Sequence, residues 1–261
     1  MRITYRARGA KEYWTSRWSD IPADSAMDNL FSYPLKYAEL TIKEKTGKIL
    51  EAGCGAGRIL RYYHEKQYDI VGFDYIDVAI QKLKEADCTL QAEVADITAL
   101  HYPNESFKYV LAFGLYHNLE KGLDKSIEET FRILEKGGSV CASFRADNIQ
   151  TKLTDWLADK KKKSSASSER FFHKRNLTKN EFEKLFKTSG FTIDAVYPVE
   201  NMPILYKFRL FRSKEHKVFD ENKARRDGYR LSWFGQLIQD FLMHFFPDQF
   251  CNIYVLIAHK L

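Results

Sequence analysis

No stretch of the 261 residues stays apolar for anything near the ~20 positions a membrane-spanning helix needs, and the N-terminus lacks the apolar segment of a secretory leader. A membrane span and export are therefore not expected, and the protein reads as cytoplasmic. Cysteine is scarce. Cys54, Cys88, Cys141 and Cys251 are scattered without C-x-x-C spacing, which argues against a disulfide scaffold or a zinc site and predicts free thiols and no metal. Two nucleotide signatures are missing as well. No Gly-Lys-Ser/Thr follows the glycine-rich turn near residue 55, so there is no Walker loop. Arg58 stands where G-x-G-x-x-G would place its third glycine, so the dinucleotide fingerprint is not met either. There is no internal repeat.

What is present begins at Lys48. Ile49-Leu50-Glu51-Ala52 is a short apolar run carrying one acid, and it breaks into Gly53-Cys54-Gly55-Ala56-Gly57. The pattern predicts a buried strand, a tight turn and a helix, with glycine leaving the turn's backbone open to a ligand. Asp69-Ile-Val-Gly-Phe-Asp74 reads as a second buried strand ending in an acid, 17 residues past Gly57. A carboxylate at a strand tip accepts from both hydroxyls of a ribose and suits a neutral diol, not a 2′-phosphate. A third strand over 90–97 leads into Asp96, and a fourth over 106–113 opens into Gly114-Leu-Tyr-His-Asn. Leu123, Ile127 and Phe131 recur every four residues, as in a helix lying on a sheet. That helix is expected to end at Gly137-Gly138, with a fifth strand over 139–144. Thr178-Lys-Asn-Glu181 is a capping box that opens a helix ending at Gly190. Strands over 191–197 and 253–259 complete the set.

Five of these motifs, in this order over residues 48–145, resemble the class I S-adenosylmethionine-dependent methyltransferases. The likeness is strongest to their type 11 small-molecule branch, over roughly residues 45–200. It implies an α/β fold: a Rossmann-like seven-stranded sheet in the order 3-2-1-4-5-7-6 with strand seven antiparallel, helices on both faces, and N-terminal and C-terminal helical additions. The implied layout is a helical lid segment over 1–45 and a methyltransferase domain over 46–261, with insertions at about 146–175 and 198–250. The implied cofactor is S-adenosyl-L-methionine, with S-adenosyl-L-homocysteine as product. Glu51 would help hold its methionine ammonium, Asp74 its ribose, and Asp96 and Ile97 its adenine, with Gly53, Cys54, Gly55, Gly57 and Tyr75 beside them in the cofactor site. Phe113 and Gly114 complete that site. Tyr116 and His117 follow strand four, where the transferable methyl points in the family, and are the catalytic candidates, His117 as a general base. Trp14 and Arg17, within Tyr13-Trp-Thr-Ser-Arg-Trp18, are expected to close over the sulfonium. Lys136 stands where the family's Leu-Lys-Pro-Gly-Gly turn has proline. No Asn/Asp-Pro-Pro-Tyr follows strand four, which weighs against N-methylation of adenine or cytosine.

The additions carry the rest of the signal. A net charge of +6 and a pI near 8.9 are compatible with nucleic acid, with an acidic lipid surface or with neither. Four lysines at 160–163 followed by the serine-rich 164–168 run read as a solvated loop, part of a lid closing on substrate. Residues 233–246 read as an amphipathic helix. Trp233, Leu237, Phe241 and Phe245 form one row, with Phe234, Ile238 and Leu242 beside it and Gln236, Gln239 and Asp240 opposite. Upstream lie Lys214, Lys217, Lys223, Arg225, Arg226 and Arg230. Burial against the core or in a homodimer is the expected use of the row, and contact with an anionic membrane or a lipid-linked substrate is the alternative. The expected activity is methyl transfer to an O, N or C atom of a small-molecule acceptor, apolar or lipid-like. An RNA or protein methyltransferase using the basic insertions, and a non-catalytic S-adenosylmethionine-binding partner protein, stay open.

Overall fold

The computed structural model describes residues 1–23, 25–162, 170–218 and 228–261. Expectations placed on Lys163, on the 164–168 run and on Lys223, Arg225 and Arg226 lie outside them. Strand β2 (Ile49–Ala52) is buried along its whole length, because it has parallel neighbours on both sides and helices on both faces. Those neighbours are β3 (Ile70–Asp74) and β5 (Phe107–Ala112). Outside them lie β4 (Ala92–Val94) and β6 (Leu134–Arg145). The last strand, β9 (Ile253–His259), runs antiparallel between β6 and β8 (Thr192–Val199). The seven-stranded sheet reads β4-β3-β2-β5-β6-β9-β8, which is the expected 3-2-1-4-5-7-6 with its seventh strand antiparallel.

Side chains alternate across the strands, so each face has its own core. On one, Leu50, Val110 and Phe144 pack against helices α5 (Leu123–Ile133) and α7 (Lys179–Thr188). On the other, Ile49, Leu111 and Cys141 meet α3 (Arg58–Glu65) and α4 (Asp77–Ala86) through Leu60 and Leu83. Helix α7 starts with the capping box read from Thr178 and Glu181. Helix α5 stops at Ile133, ahead of the glycine pair. The Lys260 ammonium donates to the carbonyls of Phe131 (3.1 Å) and Leu134 (2.8 Å), and Leu134 already pairs with Phe107 in the sheet. All four cysteines are free thiols.

The N-terminal segment does not open as a helix. Strand β1 (Arg2–Arg6) pairs antiparallel with β7 (Phe171–Asn176) in a separate two-stranded ribbon. Arg2 ties it down, donating from Nε to Asp147 and from Nη1 to Asp155, each at 2.7 Å. Asp155 belongs to α6 (Ile149–Lys162), so the stretch read as a polar lid contains a helix and a strand. Helices α1 (Ala10–Asp20) and α2 (Tyr33–Thr41) follow β1. Near the C-terminus come α8 (Trp233–Phe245) and the short α9 (Pro247–Phe250). Among the described residues no helix is long and apolar enough to cross a membrane.

Candidate active site

The carboxyl ends of β2 to β5 open into one cleft of about 860 Å³, the edge at which open parallel sheets take their ligands. Three strand-end acids meet there. Glu51 of β2 accepts the N–H of Leu60, in the first turn of α3, at 2.7 Å. Burial lifts its pKa to about 8 despite that bond and the nearby Arg58 guanidinium. Asp74 closes β3 and accepts two N–H groups at 2.9 Å, Gly55 at Oδ2 and Ile76 at Oδ1. Burial raises its pKa more than those bonds lower it. An ionised carboxylate offers about four acceptor positions, so capacity is left toward the cleft. Asp96, past β4, is exposed at the rim, and its Oδ1 accepts both the N–H and the hydroxyl of Thr98 at 2.8 Å.

The turn between β2 and α3 is as tight as its glycines imply. Gly55 has φ +53°, and a Cβ there would lie 2.4 Å from the Trp18 ring. Gly57 caps α3 at φ +64°, and a Cβ there would lie 2.4 Å from Leu83. Both positions are closed to a side chain. They shape the turn without lining the cleft, and it is Gly53 and Cys54 that form its wall.

Helix α1 roofs this space. Trp14, Arg17 and Trp18 lie in the wall. The two indoles stack at 5.7 Å, and the Arg17 guanidinium sits 6.0 Å over Trp14. The Lys82 ammonium on α4 holds the roof, donating to the carbonyls of Trp18, Ser19 and Ile21 at 3.0, 2.8 and 2.6 Å. It satisfies carbonyls that a helix end leaves open and puts a cation at the negative end of the helix dipole. Facing α1 are Phe113 and Gly114 at the end of β5. Phe113 meets Tyr33 of α2 edge-on at 6.0 Å, and Gly114 N–H donates to Ser143 Oγ at 2.9 Å. The cleft thus brings together Glu51, Gly53, Cys54, Asp74, Tyr75, Asp96, Ile97, Phe113, Gly114, Trp14 and Arg17.

Tyr116 and His117 are placed otherwise than expected, and neither lines the cleft. Tyr116 is fully buried, its hydroxyl 2.7 Å from Thr130 of α5 and its ring against Phe186. It is a core residue. The His117 ring packs on Phe144 at 5.9 Å, and its Nδ1 is buried without a partner among the described residues. Burial, then the Arg145 and Lys174 cations, lower its pKa to about 3, so the imidazole stays neutral and faces the ribbon, not the cofactor cleft. The one-turn helix over Tyr116–Asn118 instead offers Leu115, Asn118 and Leu119 to the cleft. Asn118, Tyr33, Arg58 and Lys82 were not singled out from sequence as site residues. Arg58 had a signal in its place at the end of the glycine turn. Lys82 had none, because its carbonyl partners lie 61 to 64 residues away.

Residues 49–138 match the family model of the methyltransferase domain. Residues 49–138 are thus a methyltransferase domain, set in the sheet order expected of the class I fold. The chain is also 32% identical over 103 residues to phosphoethanolamine N-methyltransferase 1 of Arabidopsis thaliana, a match over 37% of this chain. It spans about a fifth of that relative's length, 20%. Among solved structures it is similar to a putative methyltransferase of Haloferax volcanii in complex with the Trm112 activator, at TM-score 0.61 and 14% identity over 98% of this chain and 99% of that one. A SAM-dependent methyltransferase of Methanosarcina mazei gives TM-score 0.57 and 18% identity over 84% of this chain and 94% of that one. At such identities what is shared is the fold.

S-adenosylmethionine is the cofactor that such a domain implies, and the residues present suit it. A cleft wall with Gly53 at the end of β2, two buried acids with acceptor capacity to spare and an aromatic roof match a molecule that carries a neutral diol, an ammonium and a sulfonium.

Proposed function

We propose that the methyltransferase domain transfers a methyl group from S-adenosylmethionine to an O, N or C atom of a small-molecule acceptor. The roofed cleft carries this reading. With α1 across it, the space has the size of a small-ligand site (~300–1,000 Å³), not the form of an open groove for a nucleic acid. Lys152 and Lys160 of α6 and the basic stretch 207–217 lie outside its wall, which leaves an RNA or protein acceptor with less support.

In this reading Asp74 holds the ribose hydroxyls, Asp96 the adenine amino group, and Glu51 with Gly53 the methionine end. The bound cofactor supplies a methyl group already activated by its sulfonium. The chain's own contribution is then orientation, through the strand-end acids and the Phe113-Gly114 wall, and exclusion of water beneath Trp14 and Trp18. No general base is assigned to Tyr116 or His117.

Calorimetric titration with S-adenosylmethionine and S-adenosylhomocysteine tests the first half, and saturable binding of both is expected. Incubation with methyl-labelled cofactor and either fraction of a dialysed cell extract tests the second, with a labelled product, separated from unreacted cofactor by chromatography, expected from the small-molecule fraction. Phosphoethanolamine, the substrate in the plant relative's name, is a pure acceptor to try first. Label confined to RNA or protein would refute the small-molecule reading. Failure to bind either cofactor form would refute methyl transfer itself.

A further inference from the structure

Helix α8 turns its apolar row outward. Its buried positions are Gly235 and Gln239, and the Gln239 amide donates to Glu200 at 2.6 Å. The row faces solvent instead: Trp233 is 80% exposed, Leu237 61%, Phe241 56% and Phe245 58%. Burial against the core, one of the two uses expected from the sequence, is not what this fold makes of it. Leu210 and Phe208, on the 3-10 turns ahead of the helix, extend the same exposed surface. These turns are fixed to the helix start, since Ser232 N–H donates to the Phe211 carbonyl at 2.7 Å and Phe211 stacks on Phe234 at 6.3 Å. An aromatic-rich patch this continuous on a protein surface marks an interaction site.

Charge says what covers it. Residues 207–230 hold nine Lys and Arg against four Asp and Glu, so most of the chain's +6 excess is written into the stretch that leads to this helix. At the Trp233 end a hollow of about 480 Å³ is walled by Lys214, Arg230, Leu231 and Trp233. Glu215 also lines it, its carboxylate 3.9 Å from Arg230. Aromatic and aliphatic side chains along a helix, with cations level with its indole end, are what an acyl boundary beneath a layer of lipid phosphates accepts. A second copy meeting this face about a two-fold axis would set the same cations against their own kind.

We infer that α8 docks the protein on an anionic lipid surface. Trp233, Leu237, Phe241 and Phe245 enter the acyl boundary, and Lys214 and Arg230 take lipid phosphates. Segment 200–250 leaves the sheet after β8, which runs in the same direction as β5 and β6, so the docking face and the cleft belong to the same edge of the sheet. The inference stands on the exposed row and the charge and does not need the methyl-transfer reading.

The test is co-sedimentation of the full 261-residue chain with vesicles of phosphatidylglycerol and phosphatidylcholine, beside vesicles of phosphatidylcholine alone. The chain is expected to bind the anionic vesicles about tenfold or more tightly, to lose that preference as salt rises, and to show a blue-shifted tryptophan emission that Trp233→Phe removes. The Leu237→Glu/Phe241→Glu double variant is expected to stay in the supernatant while melting like the wild type, since both side chains are exposed in the fold. Absence of wild-type binding, or equal binding by the double variant, would overturn the inference. So would a dimer in sedimentation equilibrium that the double variant dissolves without any vesicle binding by the wild type, since the face would then be an interface between copies.

Discussion

In an Asp74→Asn variant one accepting oxygen becomes an NH2 group, and either way round that group meets a donor, the N–H of Gly55 or that of Ile76. A buried donor left without an acceptor costs about 1–3 kcal/mol. An opposing effect reduces the loss to the fold. Burial raises the Asp74 pKa, so the folded protein carries a poorly solvated charge that a neutral amide relieves. The two oppose each other, and the net fall in unfolding free energy is expected near about 1 kcal/mol, a drop of roughly 2–4 °C in Tm for a chain of this size. Cofactor binding has no such relief. The amide keeps one acceptor where the carboxylate had two and gives up the charge-assisted bonds to the ribose hydroxyls that the proposed binding mode assigns to Asp74. That loss is about 1.5–3 kcal/mol, roughly 10- to 150-fold in Kd. Calorimetric titration with S-adenosylhomocysteine, paired with urea unfolding of the free protein, reads both quantities. An affinity equal to the wild type's, with stability lowered, would refute the reasoning and leave Asp74 as a staple of the glycine turn alone.

Lys82→Met removes the cation that holds the C-terminal turn of α1, so S-adenosylhomocysteine is expected to dissociate several-fold faster while the urea midpoint hardly moves; an unchanged stopped-flow off-rate would mean that α1 is no roof. Gly57→Ala forces an L residue to φ +64° and a methyl against Leu83, at a cost of at least about 1–2 kcal/mol in urea unfolding from the backbone alone. Glu51 has a folded pKa of about 8 against an ordinary value of 4.5. Between those values the native state holds a proton that the unfolded chain has released, so the Glu51 contribution to stability falls as pH rises through this window and levels off above it. Glu51→Gln is expected to flatten that slope in urea midpoints taken across the window, and an identical slope in both proteins would contradict the burial effect.

The sheet and much of the cleft wall were legible because chemistry constrains residue type at fixed backbone positions. Acids stand at the ends of β2 and β3 and just past β4, and glycines stand where φ turns positive, and each is a local statement. What escaped depends on contacts far along the chain. The end of α5 is set by Lys260, more than 120 residues on, and the roof over the cleft by Lys82. Strand β1 shows a period-two pattern in Arg2-Ile-Thr-Tyr-Arg6, but its partner lies in β7, inside a stretch whose polar composition hides a strand. For α8 the periodicity revealed an apolar face and could not say which way it points. That was decided by the Gln239–Glu200 bond. Tyr116 and His117 sit one and two residues beyond the cleft-lining Leu115, and a single turn of 3-10 helix is enough to aim both away.

The β1–β7 ribbon also has a consequence in time. It joins residues 2–6 to residues 171–176, and closing so long a loop is entropically unfavourable until much else is in place. During synthesis, β2 to β6 have all been made before β7 exists. Helix α1 follows directly on β1, so its outer end has no anchor until the second half of the chain arrives. The Lys82 end of the roof can thus form early, and its outer end is fixed late. In the finished protein the roof answers to whatever shifts α6 and β7.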